Sequence, residues 1–239
     1  MDRLTGMKCL AAALVALLLG LQVAGIQAAG EDTSSVKDVA APLGIVYKPP
    51  LRGAPQARVG GGTRGSGSEA VLQVLAPDHV GLTTQAQPTL YWYARTASVA
   101  RFEVALIDAE AIDPLLEVET DAGMSAGVQH LNLGDHGISL QPGVSYQWSV
   151  ALVADADNRS SDLVASGVIE RIELDESQDN RIRGSHGMQR VQALASEGLW
   201  YDALDAVSLL IAASPEDDSL QAARNQLLAQ VGLAEVAAD

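Results

Sequence analysis

From Glu69 to Leu174 the apolar residues come in short runs broken by turn-forming dipeptides, and after Leu174 they take the wider spacing of helices. That change of period restricts the fold to strands first and helices after. Strands are expected near 70–76, 80–84, 88–94, 100–108, 115–120, 127–133, 144–154 and 163–174. Pro77-Asp78, Gln87-Pro88, Asp113-Pro114, Gly134-Asp135 and Pro142-Gly143 punctuate them. Leu90 and Trp92 share one face of their strand, and Tyr91 and Tyr93 share the other. Tyr146, Trp148, Val150 and Leu152 line a single face. Many short strands at this spacing predict an antiparallel β-sandwich over 69–176.

Beyond the strands, Met188, Val191, Leu194 and Ala195 fall on one helical face that Gly198 ends. Trp200, Ala203, Leu204, Val207, Leu210 and Ile211 make a second helix. Ser214 is the expected N-cap of a third, with Pro215 in its first turn and Glu216, Asp217 and Asp218 facing the dipole. Leu220, Ala223, Leu227, Leu228 and Val231 supply its apolar stripe, and Gly232 with Leu233 closes it. The prediction is a three-helix tail over 177–233, with 234–239 as a disordered end.

The other end of the chain reads as a secretory leader. Arg3 and Lys8 precede an apolar run from Cys9 to Ile26, and Ile26-Gln27-Ala28 offers a small-residue exit. Residues 1–28 are expected to be removed on export, leaving the protein periplasmic or secreted with no stable membrane span. Cys9 is the only cysteine, so the exported chain has no disulfide and no thiol chemistry.

The net charge is −15, from 15 basic and 30 acidic residues. Without the leader, which holds Arg3, Lys8 and Asp2, 13 basic and 29 acidic residues leave a net charge of −16. Such a chain repels phosphate backbones, so nucleic acid is not an expected partner. The charge is uneven: 40–68 carries Lys48, Arg52, Arg58 and Arg64 and no acid. Residues 29–46 read as a linker. The Pro- and Gly-rich stretch 47–68 cannot form helix and reads as an extended arm, so 29–68 together form a flexible segment before the sandwich.

Two local patterns resemble known architectures. Leu140-Gln141-Pro142-Gly143-Val144-Ser145-Tyr146-Gln147-Trp148 resembles the tyrosine corner that enters the sixth strand of fibronectin-III-like domains. The expected fold class is therefore an immunoglobulin- or fibronectin-III-like antiparallel sandwich followed by the helices, α+β overall. Gly198, Trp200-Tyr201, Ala203 and Pro215 are spaced like the back half of a tetratricopeptide repeat, and one such unit cannot bury its own faces.

The chain as a whole is similar to the bacterial family called domain of unknown function 928, over about residues 47–233. The similarity rests on Tyr47-Lys48-Pro49-Pro50, on Gly60-Gly61-Gly62-Thr63-Arg64-Gly65, and on Gly81-Leu82-Thr83 with Pro88-Thr89-Leu90-Tyr91-Trp92-Tyr93. Tyr146-Gln147-Trp148 and Gly198-Leu199-Trp200-Tyr201-Asp202-Ala203-Leu204 complete it. The resemblance implies an exported envelope protein and assigns no activity.

Motifs that carry chemistry fail on context. Gly60 to Gly65 satisfies G-x-G-x-x-G, but coil precedes it and a strand follows, which is not a dinucleotide site. Those glycines fit a close approach to a sheet edge, with Arg64 free to meet an acidic partner. Gly123-Met124-Ser125-Ala126-Gly127 satisfies G-x-S-x-G, but a strand pattern follows where the nucleophile elbow needs a helix. Asp135 with His136, or Asp179 with His186, keeps the triad order only as chance would. His79, His130, His136 and His186 lack metal spacing, and Arg159 interrupts a calcium reading of Asp155, Asp157 and Asp162. Asn158-Arg159-Ser160 matches a glycosylation acceptor that a bacterial chain would not use.

No catalytic residue, cofactor or metal is therefore expected. The expected function is a non-enzymatic module working through contacts with another envelope protein, with Arg64, Tyr91, Tyr93 and Tyr201 as contact residues. A carbohydrate- or surface-binding module is the alternative, since exposed tyrosine faces stack on sugars. A serine hydrolase built on Ser125 stands third.

Overall fold

Alternating side chains make strands where one face can be buried, and all eight expected strands form within a few residues of their expected ends. The computed structural model describes residues 44–50, 71–95, 101–120, 126–153, 155, 157–234 and 236, which lie within the unit Ala40–Asp239. The strands are β1 (Val71–Val74), β2 (Gly81–Thr83), β3 (Thr89–Arg95), β4 (Arg101–Asp108), β5 (Leu116–Glu119), β6 (Gly127–Asn132), β7 (Ser145–Val153) and β8 (Leu163–Arg171). They form a three-stranded antiparallel sheet, β1-β3-β6, and a five-stranded mixed sheet, β2-β8-β7-β4-β5. Among the described strands only β2 runs parallel to its neighbour, β8.

The inward rows follow the alternation in the sequence. Phe102, Val104 and Leu106 of β4 are buried, as are Tyr146, Trp148, Val150 and Leu152 of β7. Register sets Trp148 between Leu106 and Gly167. The indole needs that glycine: a Cβ on Gly167 would stand 3.2 Å from Trp148 Nε1 and 2.8 Å from Ala76. The two sheets meet where the Trp92 and Phe102 rings pack edge to face, 5.9 Å apart. The Tyr146 hydroxyl accepts the Gln141 backbone N–H at 3.0 Å, and Leu140 beside it is fully buried.

Among the described residues four helices follow, not the expected three: α1 (Glu176–Ile182), α2 (Gly187–Ser196), α3 (Trp200–Ala213) and α4 (Asp218–Ala229). The additional one, α1, has Ile182 as its only buried residue, so it has no apolar stripe to read. Its signal is the cap. Asp175 accepts the Gln178 N–H and Gln178 reaches back to the Asp175 N–H, a capping box. The expected cap of the last helix also moves. Ser214 closes α3, its N–H bonding Leu210 and Ile211 carbonyls, and Asp217 caps α4 by accepting from Ser219 N–H. A cap must precede the first helical residue, and Pro215 to Asp217 form a turn instead.

The start of α3 joins helices to sheets. Trp200 Nε1 donates to the Leu75 carbonyl just past β1, at 2.9 Å. The Tyr201 hydroxyl accepts from Trp148 Nε1 of β7 at 2.9 Å and donates to the Val168 carbonyl of β8 at 3.1 Å. Asp202 accepts from the Thr83 hydroxyl at the end of β2, and from the Thr84 N–H and hydroxyl at 3.0 and 2.5 Å. Further along, Asp205 accepts the Tyr91 hydroxyl of β3 at 2.8 Å. Helices and strands therefore share one hydrophobic cluster.

Gly81 is where this junction has no spare room. A Cβ there would lie 2.5 Å from Cε2 of Tyr201, whose ring is pinned at its hydroxyl on both sides. Gly81→Ala is expected to lower stability by about 1–3 kcal/mol, as overpacking a core does. Urea unfolding followed by tryptophan fluorescence measures it, and an unchanged midpoint would contradict the packing described.

Candidate functional site

The contact residues expected from sequence do not form a surface. Tyr91 and Tyr93 are 6% exposed and Tyr201 is 1% exposed. Alternation correctly sends Tyr91 away from Trp92, but α3 lies over it and takes its hydroxyl on Asp205, so no sugar-stacking face is left there. Tyr201 is a core residue that bonds two strands. Arg64, Gly60 to Gly65 and Ser125 lie outside the described residues.

The remaining polar candidates stay apart. Asp135 and His136 sit exposed on a 3₁₀ turn, and His186 is the exposed residue before α2. Arg183 pairs with Asp179. In the β7–β8 connection Arg159 holds Asp162 at 2.6 Å and Glu103 of β4 through two nitrogens, so these acids serve an ion-pair network. Among the described residues no group of three or more His, Cys, Asp or Glu side chains is placed to hold a metal ion.

One functional-looking group was legible only as part of the Gly198 to Leu204 string. Asp202 is 4% exposed, a carboxyl in the core. Burial pushes its pKa up, against the hydrogen bonds from Thr83 and Thr84, and nearby Asp205 pushes the same way. Every described bond of this group runs to Thr83 and Thr84, so its role is to hold α3 on the end of β2.

A concave site does form, around a segment expected to be linker and flexible arm. Gly44 to Pro50 carries no regular secondary structure, yet Ile45 and Tyr47 are buried, 1% and 7% exposed, while Val46 between them is 57% exposed. Alternate residues of an extended segment thus insert into the protein. Gln230, after α4, holds its backbone twice: it accepts the Tyr47 N–H at 2.9 Å and donates to the Ile45 carbonyl at 2.9 Å. The Lys48 N–H bonds the Ala195 carbonyl of α2 at 3.1 Å. Gly198, at φ +78°, lets the chain approach, since a Cβ there would stand 2.8 Å from the Lys48 carbonyl oxygen.

The seated segment walls a cavity of about 380 Å³. Tyr47 and Pro49 form one side, Pro77 to His79 of the β1–β2 connection the second, and Gln230 to Gly232 the third. The Tyr47 ring packs edge-on against Trp200, 5.1 Å between centroids, and its hydroxyl meets His79 Nε2 at 3.1 Å. Burial raises the Tyr47 pKa, so the phenol stays protonated, and burial lowers that of His79 despite Asp78, so the imidazole is neutral at neutral pH. The alternating Ile45-x-Tyr47 pattern was the available sequence signal, masked by the prolines and glycines around it.

Two sheets of this order with four helices built onto their edge define an α+β protein with no described catalytic constellation. The chain belongs to the family described as Domain of Unknown Function (DUF928), which matches residues 59–239. The match starts at 59, not 47, so it includes Asp78, His79 and Gln230 but not the seated Gly44 to Pro50. No curated protein matches the chain.

Asp202 gives this region a pH signature. A carboxyl whose folded pKa is raised stabilises the fold most when protonated, and that contribution fades as pH climbs through the raised value. Relative to Asp202→Asn, the native protein is expected to lose stability steadily from about pH 4, the ordinary aspartate value, upward. Urea midpoints of both proteins across pH measure this, and a native midpoint that rises relative to that of Asp202→Asn with pH, or does not change relative to it, would contradict it.

Proposed function

We propose that the chain is an exported envelope protein that acts without catalysis, through contacts with another envelope protein. We also propose that its sheets form a fibronectin-III-like sandwich. The strand orders β1-β3-β6 and β2-β8-β7-β4-β5 and the Tyr146–Gln141 bond support the sandwich. The leader-like residues 1–28 support export to a periplasmic or secreted location.

The observation that carries the interaction role is the seated segment. Extended peptides are recognised by main-chain hydrogen bonds together with pockets for alternate side chains. Gly44 to Pro50 is held in this manner, by Gln230, by Ala195 and by burial of Ile45 and Tyr47. The contact surface is therefore the seated arm with the ends of α2 and α4, and not a free helical face: Trp200 and Tyr201, which resemble a repeat motif, are spent in the core.

In-cell crosslinking and recovery of residues 29–239 tests this, comparing the native chain with Ile45→Asp, which places a charge in a buried seat. The expected result is a specific protein partner for the native chain and a several-fold loss for the variant. Limited proteolysis would show the arm released and circular dichroism the fold kept. Recovery of polysaccharide alone, or of a partner indifferent to the arm, would contradict the proposal.

A further inference from the structure

We infer that the seat also accepts the arm of a second copy of this chain, so that Gly44 to Pro50 of one molecule completes the cavity of another. This goes beyond the interaction role above, naming a second copy as an occupant of the same contact surface.

The seat does not register whose arm it holds. Gln230 bonds the Tyr47 N–H and the Ile45 carbonyl, and Ala195 takes the Lys48 N–H. Tyr47 packs on Trp200 and meets His79. The shortest of these contacts along the chain, Tyr47 to His79, spans 32 residues, and Tyr47 to Gln230 spans 183. None of them is a local turn that only the parent chain could make. An arm from a second copy keeps every one, which is what allows identical chains to exchange an element.

Reach permits the exchange. The partners just named all lie beyond the link 51–70 that follows the arm. Extended at ~3.3 Å per residue, that link reaches about 66 Å, against a width of roughly 40 Å for a domain of this size.

Charge favours it. Seven of the 15 basic residues and four of the 30 acidic ones precede Glu69, so 69–239 holds 8 and 26, a net charge of −18. The stretch 40–68 carries Lys48, Arg52, Arg58 and Arg64 and no acid. A basic arm is steered toward the acidic body of any copy. At the seat, the Glu197 carboxyl is held below its usual range chiefly by its bond to Arg181, and Lys48 of the arm adds to this. Seating within one chain and between two makes the same contacts, so concentration separates them. A tether supplies an effective concentration of roughly a millimolar, and exchange grows as the protein approaches that value.

The test uses residues 29–239, which hold no cysteine because Cys9 is the only one. A Cβ on Gly44 would stand 3.7 Å from Gln226 Nε2, so Gly44→Cys and Gln226→Cys place two exposed thiols within reach of a short bismaleimide. A chain carrying both substitutions is the reference and should link within itself. The two single variants, one of them ¹⁵N-labelled, are then mixed at about 0.5 mM each, and mass spectrometry reads links that join a labelled to an unlabelled chain between positions 44 and 226. Such links are expected, with a yield that rises with concentration. The yield should fall at least about tenfold when the arm donor also carries Ile45→Asp, and should fall with excess of a peptide of residues 42–52. The peptide competition reads the seat even where Ile45→Asp fails to fold. Absence of links between chains, or links indifferent to the peptide and to a folded Ile45→Asp, would overturn the inference. If chains do not link while Ile45→Asp still abolishes capture of another protein, the exchange fails and the interaction role survives. Peptide-sensitive links with no other protein recovered is the reverse case.

Discussion

Consecutive side chains leave a helix axis about 100° apart, so three neighbours are all buried only where protein surrounds the helix. Trp200, Tyr201 and Asp202 open α3 in that way, each 4% exposed or less. Each also bonds a different strand region: Leu75 after β1, Trp148 and Val168 in β7 and β8, and Thr83 and Thr84 at the end of β2. Deleting a buried aromatic side chain costs about 3–5 kcal/mol, a large part of a domain's net stability of about 5–15 kcal/mol. The two sheets therefore do not hold α3 as an appendage. The helix start ties the end of β1, the β7–β8 pair and the end of β2 together.

The arm is built on the same turn. Tyr47 packs on the Trp200 ring, and Gly198, two residues before Trp200, lets the arm backbone pass. The chain of dependence runs from sheet register, through Trp148 to Tyr201, to the position of Trp200, and from there to the arm and its cavity. Change at the sheet core should reach the seat, because the structural junction also sets the geometry of the arm's seat and its cavity.

What the sequence disclosed follows physical lines. Alternation located the strands and turned Trp92 and Trp148 inward, because period 2 decides faces directly. It could not say what covers a face, so Tyr91 and Tyr93 read as exposed when α3 and its surroundings bury them. The parallel pairing of β2 with β8 depends on where a three-residue strand lands after a connection, which no local pattern encodes. The polar helix α1 showed only its cap. The seat of Ile45 and Tyr47 depends on Gln230, 183 residues from its Tyr47 partner, a tertiary contact beyond the reach of composition or period.

Native-state hydrogen exchange tests most directly whether the start of α3 makes sheets and helices one cooperative structure. Amides of Leu204 to Ile211 in α3 should exchange with the same opening free energy, and the same denaturant dependence, as amides of β7 and β8. Tyr201→Phe, which removes the hydroxyl between Trp148 and Val168, should lower both sets together. Exchange of α3 through a lower-energy opening that leaves β7 and β8 protected would contradict it, and would make the helices a separable layer on a self-sufficient sandwich.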